Sequence, residues 1–310
     1  MKAAQINKYG GSEVVEINKN APKPAVSRGQ LLVEVYAAGV NPIDWKIREG
    51  YMPLKFPATL GGDFSGVIAD VGEGVSGLEK DFEVYGHASV LGGGSGSFAE
   101  FVLADAKVMA LKPKNITHME AGALPLTSVS AWQALVDHIG LSRGKKILIH
   151  GGAGGIGSIA IQLAKHLGAY VATTVNAKDM QYVKELGADE AIDYKNQTFE
   201  SMLHDYDAVY DTVGGETYIR SFKVLRKGGI IVSMLEQPRP ELMEQYGLQA
   251  IGQFTQVNTE RLSKLAELVS KRVIKVHIEK TFPLEQAGEA LAFLQSGHPR
   301  GKVVLKMKKT

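Results

Sequence analysis

No cysteine occurs among the 310 residues, which removes disulfides, thiolate nucleophiles and cysteine-ligated zinc at once. Neither sign of charge dominates: 35 Lys and Arg face 33 Asp and Glu, a net charge of +2, which argues against a nucleic-acid or membrane surface. No apolar run approaches the ~20 residues that a membrane helix needs, and MKAAQINKYG lacks the basic-then-apolar order of a secretory signal. A cytoplasmic protein is therefore expected. The lysines of KVVLKMKKT at 302–310 read as a solvated tail, and none of the 8 histidines has a second one at i+3 or i+4, the spacing of a helical metal site. The length is too great for one ordinary core and suits two domains.

Glycine, by contrast, is abundant, and its densest informative cluster lies in KILIHGGAGGIGSIAIQLAKHLGAYVATTVNAK, residues 146–178. Ile147 to Ile149 reads as a buried parallel strand. Gly152, Gly154 and Gly157 follow at G-x-G-x-x-G spacing. Ile156, Ile159, Ala160, Leu163, Ala164 and Leu167 recur at helical spacing, Gly168 stops the helix, and Tyr170 to Thr174 reads as a second strand. In that context Gly152 is expected to make the tight turn, Gly154 to let the backbone approach a pyrophosphate, and Gly157 to let helix and strand pack closely. The amides of Gly155 and Ile156 open the helix, whose positive end receives the phosphates.

From Met1 to Ala123 the pattern is β in character, with strands expected at Gln30 to Val40, Phe64 to Val71 and Phe98 to Leu103, the first with one face buried. GGGSGS, from Gly92 to Ser97, reads as a mobile loop. Pro125 to Ile139 forms a helix capped by Thr127 or Ser128. Repeated strand and helix signals then continue to Phe254, with strands at Ala191 to Asp193, Ala208 to Asp211, Ile230 to Met234 and Gln249 to Phe254, predicting a doubly wound parallel sheet. From Thr259 a helix with Leu262, Leu265, Ala266 and Val269 inward precedes strands at Val276 to Phe282 and Lys302 to Lys306 around a helix at Leu284 to Leu294. At about 50 residues this tail is too short to fold alone, so it should return to the N-terminal domain. The expected division is 1–123 with 259–310, and 124–258.

AAGVNPIDWKIREG, LGGDFSGVIADVG, AGALPLTSVSAWQAL, HGGAGGIG, DTVGG and EKTFPLEQAGEAL, in that order, resemble the zinc-independent quinone oxidoreductases of the medium-chain dehydrogenase/reductase superfamily over nearly the whole chain. The resemblance implies an α/β protein: a GroES-like, β-rich catalytic domain plus a Rossmann NADP-binding domain. Where the zinc alcohol dehydrogenases of the superfamily carry a cysteine and a histidine, this chain has Asn41 and Gly62, so no metal is expected. Without a Lewis acid the acceptor must be electron-poor, a quinone or an α,β-unsaturated carbonyl. An NAD enzyme usually ends its second strand on Asp or Glu. Here Asn176 and Lys178 stand there instead, which favours NADP(H), and the resemblance adds Tyr194 facing the 2′-phosphate and Val213 and Leu235 against the cofactor. It also places Asn41 and Asp44 near the nicotinamide, Thr127 on the nicotinamide amide, and Tyr51 as a proton-donor candidate. Lys46, beside Trp45, departs from the aromatic residue common in the family. The same resemblance implies a homodimer joined near Gly229 to Met234. Two other functions stay open at this stage: an enoyl-thioester reductase, and an NADPH-binding structural or RNA-binding protein.

Overall fold

A computed structural model describes residues 1–297 and 299–307 of the chain, which divides into two compact units: Met1–Leu126 with Val257–Arg272 and Val276–Thr310, and Thr127–Gln256 with Val273–Lys275.

The first unit is organised by the Gln30–Val40 strand. Eleven residues give it enough length to take three partners. Along one edge it pairs antiparallel with Asp63–Val71. Its other edge is shared: residues 30–34 pair with Phe101–Asp105, and residues 37–40 with Lys302–Lys306. Pairing on both edges, with the helix His118–Gly122 packed over the strand, explains why Leu31, Leu32 and Val33 are all buried where a single buried face was expected. The seven-stranded sheet therefore needs the returning tail: Lys302–Lys306 lies between Ile278–Pro283 and the long strand. Lys302 is buried, the reverse of its expected place in a solvated tail, while Lys308 and Lys309 lie outside the described residues.

Two helices interrupt the β pattern, Pro42–Arg48 and His118–Gly122. The strand expected at Phe98 spans Phe101–Asp105 instead. The glycine run after Leu91 is only partly loose, because the amides of Gly96 and Ser97 donate to the carbonyls of Ala88 and Gly61 and Ser97 is fully buried.

The second unit is a six-stranded parallel sheet in the order Glu190–Asp193, Tyr170–Val175, Lys146–His150, Tyr206–Asp211, Leu225–Ser233, Gln249–Gly252. In chain order this is 3-2-1-4-5-6, the doubly wound arrangement whose ligand crevice lies at the carboxyl ends of the strands where the order reverses. The helix Gly155–His166 is buried continuously from Gly157 to Ala164, wider than its predicted stripe. Each fully buried Ile or Leu in it contributes on the order of 1.5–3 kcal/mol. In the tail helix, Thr259–Ser270, it is Leu268 that joins Leu262, Leu265 and Val269 inside, while Ala266 is half-buried.

Three further expectations change. Pro125 occupies the first helical position of Pro125–Trp132, since its fixed φ suits a helix start, so Thr127 lies inside the helix and does not cap it. That helix ends in a π turn over Gln133–His138. Leu225–Ser233 is flanked on both sides, and the sheet's two edges belong to Glu190–Asp193 and Gln249–Gly252.

Candidate active site

In the second unit the glycine turn follows Lys146–His150 directly. Gly151 takes the left-handed conformation at φ 70°, so the tight turn is made there and not at Gly152. Gly152 instead makes room for Thr173, whose hydroxyl donates to Ile149 O. A Cβ on Gly157 would overlap Gly151 O and lie 2.7 Å from Gly152 Cα, so only glycine lets the helix pack on the turn. Gly154 has no such neighbour: a Cβ there would meet only Gly151 O, at 3.4 Å. Gly154 is the N-cap and has no side chain to offer, and no described residue accepts from the amides of Gly155, Ile156 and Gly157. Three undirected N–H groups over an open glycine fit a pyrophosphate.

His150, fully buried beneath this turn, is held by two hydroxyls. Ser221 Oγ donates to Thr217 O, so it accepts from His150 Nε2, and Nδ1 then accepts from Thr174 Oγ1. Burial holds this imidazole down at about 4, with Asp211 opposing, so it stays neutral and fixes the ends of two strands.

Asp211 and Ser233 form a second knot. Asp211 Oδ1 accepts from the amides of Val213 and Gly214, its Oδ2 accepts from Ser233 Oγ, and Ser233 Oγ in turn accepts from the amides of Leu235 and Glu236. The outcome is two rigid loops that present Val213 and Leu235, both half exposed, at the carboxyl ends of their strands. At the end of Tyr170–Val175, Asn176 Oδ1 accepts from the Lys178 amide, and the Tyr194 amide donates to Val175 O. Asn176, Lys178 and Tyr194 thus share one strand end. Lys178 is exposed there while Asp179 is buried, which separates the ammonium from the adjacent carboxylate. Thr127 is buried in its helix.

The first unit holds a buried polar cluster drawn from four distant places in the chain. Asn41 precedes the Pro42–Arg48 helix, and its amide donates to Asp44 Oδ2 at 2.8 Å. Its side chain turns elsewhere: Nδ2 donates to Asp63 Oδ2 at 2.8 Å, and Oδ1 accepts from the Lys302 ammonium, which also donates to Val40 O at 3.0 Å. An ammonium can only donate, so this contact fixes which way the Asn41 amide points. Asp63 Oδ1 further accepts from the Leu126 amide at 3.0 Å and from His87 Nδ1 at 2.8 Å. Asn41, Asp44, Asp63 and Lys302 are all nearly inaccessible. Burial pushes the Asp44 carboxyl up to about 7, the Asn41 amide pulling the other way and Asp63 adding to the rise; burial also lowers Lys302 against the pull of Asp63 and Asp44. Tyr51 stands outside this cluster, on the loop after the helix, 67% exposed and edge-on to Trp45 at 6.0 Å.

His87, Asp63 and Lys302 had no local pattern to announce them. The one available signal for His87 was Gly62: a Cβ on that residue would lie 2.8 Å from His87 Nε2 and 2.9 Å from Nδ1. The imidazole of His87 therefore fills the space that a side chain at position 62, where the zinc enzymes carry histidine, would enter. These residues do not fit a zinc ion. A fixed ammonium stands within the cluster and repels a second cation, and no group of three or more His, Cys, Asp or Glu among the described residues could hold a metal.

A Rossmann sheet with a glycine cradle, and a separate β-rich unit completed by the chain's own tail, together define a medium-chain dehydrogenase/reductase. The chain matches the family "Alcohol dehydrogenase GroES-like domain" over residues 27–114 and "Zinc-binding dehydrogenase" over residues 186–305. It is 37% identical to 2-methylene-furan-3-one reductase of Solanum lycopersicum over 98% of this chain and 79% of that one. It is 35% identical to the NADPH-dependent alkenal/one oxidoreductase, chloroplastic, of Arabidopsis thaliana, again over 98% and 79%. The solved structure of the quinone oxidoreductase from Coxiella burnetii superposes with a TM-score of 0.91 at 34% identity, covering 99% of each chain. The chain belongs to the quinone oxidoreductase family of that superfamily.

Proposed function

We propose that this protein is an NADPH-dependent, zinc-independent reductase of quinones and α,β-unsaturated carbonyl compounds. The observation that carries the reading is the buried ammonium of Lys302 in a cluster with no metal-ligand set. With no Lewis acid, the acceptor must owe its reactivity to its own conjugation. The relatives named for alkenal/one and furanone reduction support the same substrate class.

NADPH, when bound, supplies hydride; the protein's part is to hold it and to manage charge. The amides of Gly155, Ile156 and Gly157 would take the pyrophosphate, Asn176, Lys178 and Tyr194 the 2′-phosphate, and Val213 and Leu235 would line the cofactor's apolar side. Thr127 is assigned to the nicotinamide amide. Asn41 is assigned to the acceptor's side by the family resemblance, its side chain held by Asp63 and Lys302. Asp44 keeps Asn41 in place by accepting its backbone amide. Tyr51 is retained as a candidate source of the proton. Assembly is proposed as a homodimer through the free Gln249–Gly252 edge, beside which Phe254 is 80% exposed. No observation favours a thioester reductase or a non-catalytic binder.

The test is NADPH oxidation with a simple quinone and a simple enone, before and after exhaustive chelation. Turnover of both, unchanged by the chelator, is expected. Failure with both acceptors, or activity lost to chelator and restored by zinc, overturns the reading.

A further inference from the structure

We infer that His87, held by Asp63, is the group that delivers the proton completing reduction of an enone. The inference rests on the reductase reading above and adds a catalytic residue that neither the sequence motifs nor the names of the relatives indicate.

Three observations carry it. Asp63 is fully buried and accepts from three donors, the Asn41 side chain, the Leu126 amide and His87 Nδ1. A carboxylate so fixed orients the imidazole, the arrangement by which an acid–base histidine is held in one tautomer. With Nδ1 committed to Asp63, the exchangeable site is Nε2, which no described residue engages. Finally, the ring keeps access: it is 19% exposed in a cluster otherwise sealed, and it reaches that position only because Gly62 has no side chain. His87 is thus the one member of the cluster with both a buried anchor and a free, accessible nitrogen. Asp63 also joins it directly to Asn41, the residue assigned to the acceptor's side. Tyr51, in contrast, is two-thirds exposed and has no carboxylate behind it.

The step balances as follows. Hydride from NADPH adds to the β-carbon of the enone, the C=C electrons move onto the carbonyl oxygen, and NADP⁺ and an enolate result. The Nε2–H bond of the His87 imidazolium then breaks, its proton goes to the α-carbon, and the imidazole left behind regains a proton from water. Net consumption is one NADPH and one proton per saturated ketone. The charged groups beside His87 are Asp63 of the adjacent strand and Asp44 of the Pro42–Arg48 helix; both are buried and neither offers an accessible O–H. A quinone needs this proton less, because its reduced anion is aromatic and can be protonated by water.

The experiment compares the full-length protein with His87→Gln and Tyr51→Phe, using an α-substituted enone and a simple quinone, in H₂O and in D₂O. For His87→Gln the expected result is an enone kcat lower by ~10²-fold and α-deuteration on both faces in place of one. Quinone turnover and NADPH affinity should stay within about threefold, which shows an intact fold. Tyr51→Phe is the competing variant, because Tyr51 is the other candidate for this proton. The inference is overturned if His87→Gln keeps its enone rate and facial selectivity, or if Tyr51→Phe takes that loss instead. Wild-type failure on both acceptors would sink the reductase reading itself, a separate outcome.

Discussion

Asp44 offers the sharpest energetic test of the buried cluster. Its carboxyl rises from 3.8 to about 7, chiefly through burial. The native state therefore keeps a proton that the unfolded chain releases near pH 4, so stability falls as pH climbs from about 4 to about 7 and levels off above that. A rise of about three units at ~1.4 kcal/mol each gives a full penalty of about 4 kcal/mol, of which roughly 2.5 kcal/mol develops between pH 5 and pH 8. Asp44→Asn removes the titration while keeping an oxygen to accept the Asn41 amide, so the variant should lack this slope. Its stability relative to wild type should accordingly improve by about 2.5 kcal/mol over that range. Trp45 lies next to Asp44, and only one other tryptophan, Trp132, needs replacing by Phe to make it a clean reporter of the first unit. Urea unfolding followed by Trp45 fluorescence at several pH values gives the difference directly. Parallel curves for the two proteins, within about 0.5 kcal/mol, would mean that Asp44 is ionised in the native state and that the account of the cluster's charge is wrong.

Cofactor choice is tested by Lys178→Ala, which should weaken NADPH by about 1–2 kcal/mol in a fluorescence titration and leave NADH unchanged; equal losses would remove Lys178 from the 2′-phosphate. The two glycines of the turn should behave differently. Gly157→Ala forces a methyl against backbone atoms of Gly151 and Gly152, so the unliganded protein should melt several degrees lower. Gly154→Ala, in open space, should leave the melting temperature unchanged yet weaken NADPH about tenfold or more, and unimpaired binding would place the phosphates elsewhere.

How far the sequence could be read depended on whether the signal was local. Gln30–Val40 and Lys302–Lys306 were each visible from an apolar run, and the glycine fingerprint was visible because strand, turn and helix adjoin in the chain. Gly151 escaped notice because a GG pair does not say which member takes positive φ. The helix Pro240–Tyr246 gives no sequence signal: its seven residues include no buried one, so no apolar stripe marks it. The polar cluster was the least legible part. Its members sit at 41, 44, 63, 87 and 302, where periodicity carries no information, and a lysine beside an apolar strand near the chain's end reads as solvated. Only closure of the sheet turns that lysine inward.

That closure bears on how the protein is made. Asn41 and Lys302 are separated by 261 residues, whereas nearly all of the second unit is one stretch, Thr127–Gln256. During synthesis the parallel sheet has its six strands in hand, and can collapse, while the first unit still lacks the strand that pairs with Ala37 to Val40. Until Lys302 leaves the ribosome, the buried Asp63 has no ammonium nearby to enter the interior with, and burying its charge alone is prohibitive. The first unit must therefore wait, its long strand open along part of one edge. Assembly of the cluster becomes a late checkpoint, so a chain that stalls before residue 302 would carry a finished nucleotide cradle and no finished site for the acceptor.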